Sequence, residues 1–308
     1  MEMENLMKGA SDALKKAAVN EEAKSHLLSN RPLFELLKKA ANRFIAGEEL
    51  AETIERVQSI NARNVACTVD FMGESIRLEE EANQVVEEFL SLARAIKTQH
   101  LNSTISLDLS HIGLEVSREL ALQNLQRICE EGIEVMISAE GFERTDQVIS
   151  TYVEAAKTYP NIGITLQAYF HRTVGDLQEL MKYPGKIRIV KGAFSAPGGT
   201  YLERGKELSK RYMDMVERLL LADHLCSIAT HDEHIQVEVG NFLQKTGKTE
   251  NYEYESLLGI ENERIFTLNE QHPTRIYVVY GKEWYLYLCN RIAENPANLF
   301  QAVVDMVG

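Results

Sequence analysis

The chain has 308 residues, 44% of them hydrophobic and 26% charged, with a formal net charge of −13. That size and balance suit one large folded unit. No apolar run approaches the roughly 20 residues that span a bilayer, and the acidic balance argues against a general nucleic-acid surface or docking to anionic lipid.

The first residues, MEMENLMKGASDALKKA, are acidic and amphipathic, unlike a secretory signal. PLFELLKKAANRFI and EELAETIERVQSIN then place apolar residues at three- and four-residue intervals. Residues 1–62 are therefore expected to be an N-terminal helical segment ahead of a larger unit, 63–308. That unit contains eight short apolar runs: VACTVDF (65–71), ISLDLSH (105–111), IEVMISAE (133–140), IGITLQAY (162–169), KIRIVKGA (186–193), LCSIATHD (225–232), YEYESLLG (252–259) and TRIYVVYG (274–281). Amphipathic helical patterns separate them, among them 77–99, 117–132, 146–159 and 173–183. Buried strands alternating with helices demand a parallel sheet. Eight such units predict a closed (β/α)8 TIM-like barrel, with its chemistry at the C-terminal strand ends. The residues there are Asp70, Asp108, Ser138, Glu140, Gln167, Lys191, His231, Glu255 and Tyr277. Between 195 and 207 a Pro197-Gly198-Gly199 stretch marks a long loop, a lid candidate. EWYLYLCNRIAENP (283–296) reads as the last helix, stopping at Pro296.

The four cysteines, Cys67, Cys129, Cys226 and Cys289, form no C-x-x-C pair. They read as reduced thiols of a cytoplasmic protein. His231 and His234 have His-x-x-His spacing, but no cysteine or carboxylate spacing completes a ligand set, so no metal is expected. Alternation puts Arg188 and Val190 on one face of the fifth run, with Ile189 and Lys191 on the other. Lys191 at a strand end can hold an anionic cofactor, form a Schiff base with a carbonyl, or simply close a salt bridge. Gln167 offers an amide that suits the edge of a heteroaromatic ring. On the last helix, Tyr287, Asn290, Arg291 and Glu294 share a face that can line a pocket for a small zwitterion, with Leu286, Leu288 and Ile292 on the packed side.

In order along the chain, RFIAGEELAETIERVQSIN with VDFMGES, then TLQAY, RIVKGAF, ATHDEH, RIYVVYG and EWYLYLCNRIAENPANL, resemble the signatures of monofunctional proline dehydrogenase, especially its Bacillus-type form. The resemblance runs from about residue 30 to 300. It implies a distorted (β/α)8 barrel that binds FAD without a Rossmann glycine motif. It also implies hydride transfer from the carbon beside a ring nitrogen to flavin N5, giving an imine. Gln167, Arg188, Val190, Lys191, Gly192, Ala193, Thr230 and His231 match the family's FAD contacts. Arg188 matches the arginine near N5, and Lys191 a residue near the charged part of the cofactor. Tyr277, Tyr287, Leu257, Arg291 and Glu294 match the substrate pocket. Arg188, Tyr277 and Arg291 are thereby expected at the reacting centre. The implied partners are an amine or amino-acid substrate and an electron acceptor, possibly a quinone, with no nucleic acid and no membrane span.

The departures lie at the substrate carboxylate. Where the family has a strand-two lysine, this chain has Asp108. The strand-three aspartate is Ser138, the first of two helix arginines is Asn290, and the glutamine after strand seven is Glu255. At an effective dielectric near 20, unit charges ~4 Å apart interact by roughly 4 kcal/mol. The lysine-to-aspartate change reverses the sign of such a term. The expected activity is therefore oxidation of proline or a proline-like cyclic amine. Ordinary L-proline catabolism, a non-redox Lys191 Schiff-base enzyme and a non-catalytic FAD-binding relative are the alternatives.

Overall fold

Eight parallel strands close into a barrel in sequence order, each paired with its neighbours and β1 paired with β8. They are β1 (Ala66–Phe71), β2 (Ser103–Leu107), β3 (Val135–Ile137), β4 (Ile162–Gln167), β5 (Ile187–Val190), β6 (Cys226–Ala229), β7 (Tyr252–Leu257) and β8 (Thr274–Tyr280). The computed structural model describes residues 20–73, 75–192, 194, 196–294 and 297–307, besides 9, 13, 14 and 16; of 21, 23, 27, 28, 294, 297 and 299 it describes the backbone alone. The helices are α1 (Glu21–Ser29), α2 (Arg31–Ala41) and α3 (Leu50–Asn61) before the barrel. Around it run α4 (Glu79–Thr98), α5 (Arg118–Cys129), α6 (Thr145–Ala156), α7 (Thr173–Leu180), α8 (Lys206–Leu221), α9 (Glu233–Thr246), α10 (Asn262–Leu268), α11 (Trp284–Glu294) and α12 (Ala297–Val307).

The period-two pattern sorts each strand. Val69, Ile105, Leu107, Ile137, Ile164, Ile189, Ile228 and Val278 are fully buried in the main apolar core. They face the helices, whose apolar stripes meet them: α4 buries Val86, Phe89 and Ala93 and puts Glu79, Glu80 and Glu81 in its first turn, where the helix dipole favours them. The inward-facing alternates are largely polar. Branched apolar residues usually fill this space in such barrels; here two hydrogen-bonded layers do. In the lower layer Glu253 accepts from Lys186 at 2.8 Å and from Arg275 at 2.9 Å, while Arg275 also donates to the Cys67 carbonyl at 2.7 Å. Burial pushes the Glu253 carboxyl up, but Arg275 and Lys186 outweigh it and hold the group below its ordinary value.

The strands are shorter than the apolar runs. β2 stops at Leu107, and Asp108–His111 form a turn instead. The run continues because the turn is itself buried: Leu109 and Ile112 are fully covered. β3 and β6 likewise end before Ser138 and Thr230. Sequence reading also placed the last helix at 283–296, whereas α12 follows it, tied to the chain after α2 by Arg43 donating to Asp305 at 2.5 and 2.6 Å. Ala40, Ala41 and Phe44 pack with Trp284, Leu288 and Ile292 in a second apolar core that includes Val279 of β8. This core holds α11 over the barrel mouth. The 195–207 stretch is only partly a loop. Tyr201 pairs with Phe170 as an antiparallel bridge, the Leu202 amide donates to the Tyr169 carbonyl at 2.7 Å, and residues from Lys206 belong to α8.

Candidate active site

The strand ends open into a cavity of about 1200 Å³, on the face of the barrel where this fold carries its chemistry. Its floor is built around Arg188. Ile187 and Ile189 are buried against the helices, so the residue between them points inward. Arg188 Nε donates to Thr165 Oγ1 at 2.9 Å; its terminal nitrogens reach Glu255 Oε1 at 3.3 Å, Ser106 Oγ at 3.1 Å and Ser138 Oγ at 3.4 Å. Glu255 accepts in addition from Thr68 Oγ1 at 2.9 Å and Ser227 Oγ at 2.5 Å. The Arg188 guanidinium also sits 5.0 Å from the centroid of the Tyr277 ring. Both charges are buried, and the hydroxyls around them supply the bonds that a buried pair requires.

One wall comes from β4, β5 and the loop after β6. Gln167 lines the cavity and is held by its Nε2 donating to the Glu140 carbonyl at 2.9 Å. Val190, Lys191 and Gly192 follow. Lys191 Nζ lies 2.6 Å from Asp232 Oδ2, the salt bridge foreseen as its plain alternative. Asp232 also caps α9, accepting from the His234 and Ile235 amides. Burial pushes its carboxyl up; the Lys191 bond and charge, with those amides, bring it below the ordinary value. At Gly192 φ is +108°, and a Cβ would sit 2.0 Å from the Tyr169 ring, so only glycine fits. Thr230 and His231 complete the wall. His231 Nε2 accepts from the Leu257 amide at 2.9 Å. The ring proton therefore sits on Nδ1. Burial, then the charge of Arg291, lower its pKa to about 4, so the ring is neutral near pH 7. Ala193 lies outside the described residues.

The opposite wall joins β1, β2, β8 and α11. Tyr277 donates its hydroxyl to Asp70 Oδ2. Burial raises Asp70 to about 7, against the Tyr277 bond and the Arg188 charge. Asp108, Ser138, Leu257, Tyr287, Asn290 and Arg291 line the same space. The Arg291 guanidinium sits 5.0 Å from the Tyr287 ring centroid. The side chain of Glu294 lies outside the described residues. Leu286, placed by sequence on the packed side of α11, instead lines the cavity, because it stands one turn before Asn290. Sequence reasoning missed His111 altogether. It lines the cavity beyond Asp108, stacks on Phe71 with ring centroids 5.4 Å apart, and is only 3% exposed.

A closed eight-stranded barrel whose strand ends surround a large polar-and-apolar cavity is the architecture of a barrel enzyme. The family model described as proline dehydrogenase matches residues 53–302. The chain belongs to the proline dehydrogenase family, oxidoreductases that act on CH–NH donors. It is similar to proline dehydrogenase 1 of Bacillus subtilis strain 168, at 31% identity over 264 residues, covering 84% of this chain and 87% of the relative. Against the proline dehydrogenase of Deinococcus radiodurans it is 28% identical over 296 residues, with 91% and 96% covered. Among solved structures, proline utilization A from Bdellovibrio bacteriovorus, inactivated by N-propargylglycine, overlays with a TM-score of 0.77 at 19% identity. The overlay takes in 95% of this chain but only 37% of that longer one, and it speaks for the fold.

Proposed function

We propose that this protein is an FAD-dependent enzyme that oxidises the C–N bond of proline or a proline-like cyclic amine to an imine. The observation that carries the reading is the convergence of Gln167, Lys191 and His231 on one wall of the cavity, above Arg188. The donor set fits a flavin nucleotide: an amide, a cation, a neutral imidazole that keeps its proton on Nδ1, and a backbone at Gly192 that no side chain obstructs. Gln167, Val190, Lys191, Gly192, Thr230 and His231 would hold it, with Ala193 beside them. Bound there, FAD supplies the hydride acceptor at its N5.

The chain's own residues do the rest. Arg188 keeps a fixed positive charge at the floor, because four neighbours orient its guanidinium. Tyr277 and Tyr287 provide ring surfaces for a saturated heterocycle, and α11 closes the cavity with Arg291. Lys191, paired with Asp232, is an ion-paired ammonium and not the desolvated amine that Schiff-base chemistry needs. The reading takes the barrel of 63–308 as the catalytic unit and the described part of the 1–62 segment, through Ala40, Ala41 and Phe44, as the brace of its mouth. It places the enzyme in the cytoplasm, where the four buried free cysteines stay reduced, and gives it a quinone or similar electron acceptor. Among the described residues no helix is long and apolar enough to cross a membrane.

The test is cofactor capture. Purified protein incubated with excess FAD and desalted should retain about one FAD per chain and release it on denaturation. Lys191→Ala should bind it more weakly. Protein that stays colourless refutes the reading.

A further inference from the structure

We infer that Glu255 is a positioning residue that acts through Arg188: by pairing with that guanidinium it turns a neutral ion pair, not a bare cation, toward the cavity, and so keeps the two-electron potential of bound FAD below the value Arg188 alone would set. The inference rests on the FAD reading above and names the residue that tunes the cofactor there.

The pair is built by register. Arg188 pairs with Thr165 of β4 on one side and with Ser227 of β6 on the other, and its Nε donates to Thr165 Oγ1. Ser227 turns its hydroxyl to Glu255, which stands one strand further on, in β7. Both carboxylate oxygens are fixed: Oε1 accepts from Arg188 at 3.3 Å and from Thr68 at 2.9 Å, and Oε2 from Ser227 at 2.5 Å. The other partners of Arg188 are the hydroxyls of Thr165, Ser106 and Ser138, which carry no charge. Among the described residues that bond the guanidinium, Glu255 alone offsets its charge.

Arg188 is 4% exposed and Glu255 3%, yet both line the cavity. Water screens a charge poorly at such depth. The strands that carry the pair also carry the wall assigned to FAD. Val190 lies two residues beyond Arg188, and Leu257 two beyond Glu255 with its amide on His231; both line the same cavity. Reduction by hydride adds two electrons and one proton to the flavin, a net gain of one negative charge. A nearby cation therefore favours the reduced cofactor and a nearby anion the oxidised one. An unpaired Arg188 would do the first; Glu255 bound to it cancels most of that effect.

Reductive titration of the FAD-loaded protein against a reference dye reads the potential. At about pH 9 Asp70, the other carboxylate acting on Arg188, with its pKa near 7, stays ionised and cannot compensate. Glu255→Gln leaves the guanidinium charge unopposed in the pair and should raise the potential by about 30 mV or more, a tenfold shift for a two-electron couple. Arg188→Gln leaves the carboxylate and should lower it by a like amount. The double variant carries neither charge and should return to within about threefold of the parent, roughly 15 mV. A merely structural role would shift both single variants the same way; that outcome, or single variants indistinguishable from the parent, overturns the inference. If Glu255→Gln does not fold, a potential that Arg188→Gln leaves unchanged or raises overturns it. Parent protein that takes up no FAD refutes the functional reading and this inference with it. Bound FAD whose potential is indifferent to Glu255 refutes this inference alone.

Discussion

Replacing Arg188 by methionine removes the charge at the centre of the cavity floor and leaves Glu255 behind. Glu255 is 3% exposed, so its carboxylate loses its buried counter-charge. Stranding one member of a buried pair costs about 3–5 kcal/mol. The Thr68 and Ser227 hydroxyls still donate to Glu255, at 2.9 and 2.5 Å, which puts the expected loss near the lower end. About 3 kcal/mol corresponds to a fall of roughly 5 °C in melting temperature for a chain of this size. In the double variant Arg188→Met with Glu255→Gln, no charge is stranded, and at least half of the loss should return. Thermal and denaturant unfolding of the parent, both single variants and the double variant form the cycle. A single variant that loses less than about 1 kcal/mol refutes the reasoning. So does a double variant as unstable as the sum of the singles. Flavin reduction in the single variant should slow more than FAD binding weakens, because Arg188 orients the floor and not the outer wall.

Asp70 faces Tyr277 on β8, Arg188 on β5 and, across the Tyr277 hydroxyl, Asp108. With its pKa near 7, it gains negative charge as pH rises through that value. Affinity for a permanently cationic pyrrolidinium should therefore increase between about pH 6 and 8, and Asp70→Asn should flatten the profile; a slope unchanged in the variant excludes Asp70. Gly192→Ala forces a Cβ to 2.0 Å from the Tyr169 ring at φ +108°, which should cost at least about 1–3 kcal/mol and abolish FAD retention; a variant that melts and binds like the parent contradicts the close packing there. The tie between residues 200–202 and 169–171 should persist whatever is bound. Limited proteolysis should then cut near 196–199 and spare 200–202, and cleavage at 200–202 that responds to FAD restores the larger lid.

The barrel was legible in the sequence because its outward strand faces are apolar, mostly Val, Ile and Leu with Cys67, Cys226, Tyr252 and Tyr254 among them, which survive as period-two apolar runs. Strand lengths were not, because the turn at Asp108–His111 is buried and carries the same apolar signal. The positions of Gln167, Lys191 and His231 followed from strand ends alone, whereas Arg188, inside β5, came only with the family resemblance. Their partners followed from neither. Thr68 and Glu255 bond across 187 residues of sequence, and the Lys186–Glu253–Arg275 layer spans three strands. Nothing local marks such a pair, because an inward polar residue reads the same as an exposed one. Lys191 shows the intermediate case. Its salt bridge was one of the readings open to it, but Asp232 stood in another run and only barrel closure brings the two together. His111 was passed over as the last letter of a strand. Its place three residues after Asp108, in a turn whose Ser110 amide is held by Glu140, is visible only once β2 is seen to end early.

The most direct test of the account is anaerobic reduction of the bound flavin by substrate. FAD-loaded protein mixed without oxygen with a panel of cyclic amines, from L-proline to its amide, its methyl ester and pyrrolidine, should lose its visible flavin absorbance with at least one of them. Chemical trapping should then count about one cyclic imine for each flavin reduced. A flavin that stays oxidised with every amine, yet bleaches with dithionite, would contradict the assignment of this barrel as an amine-oxidising enzyme.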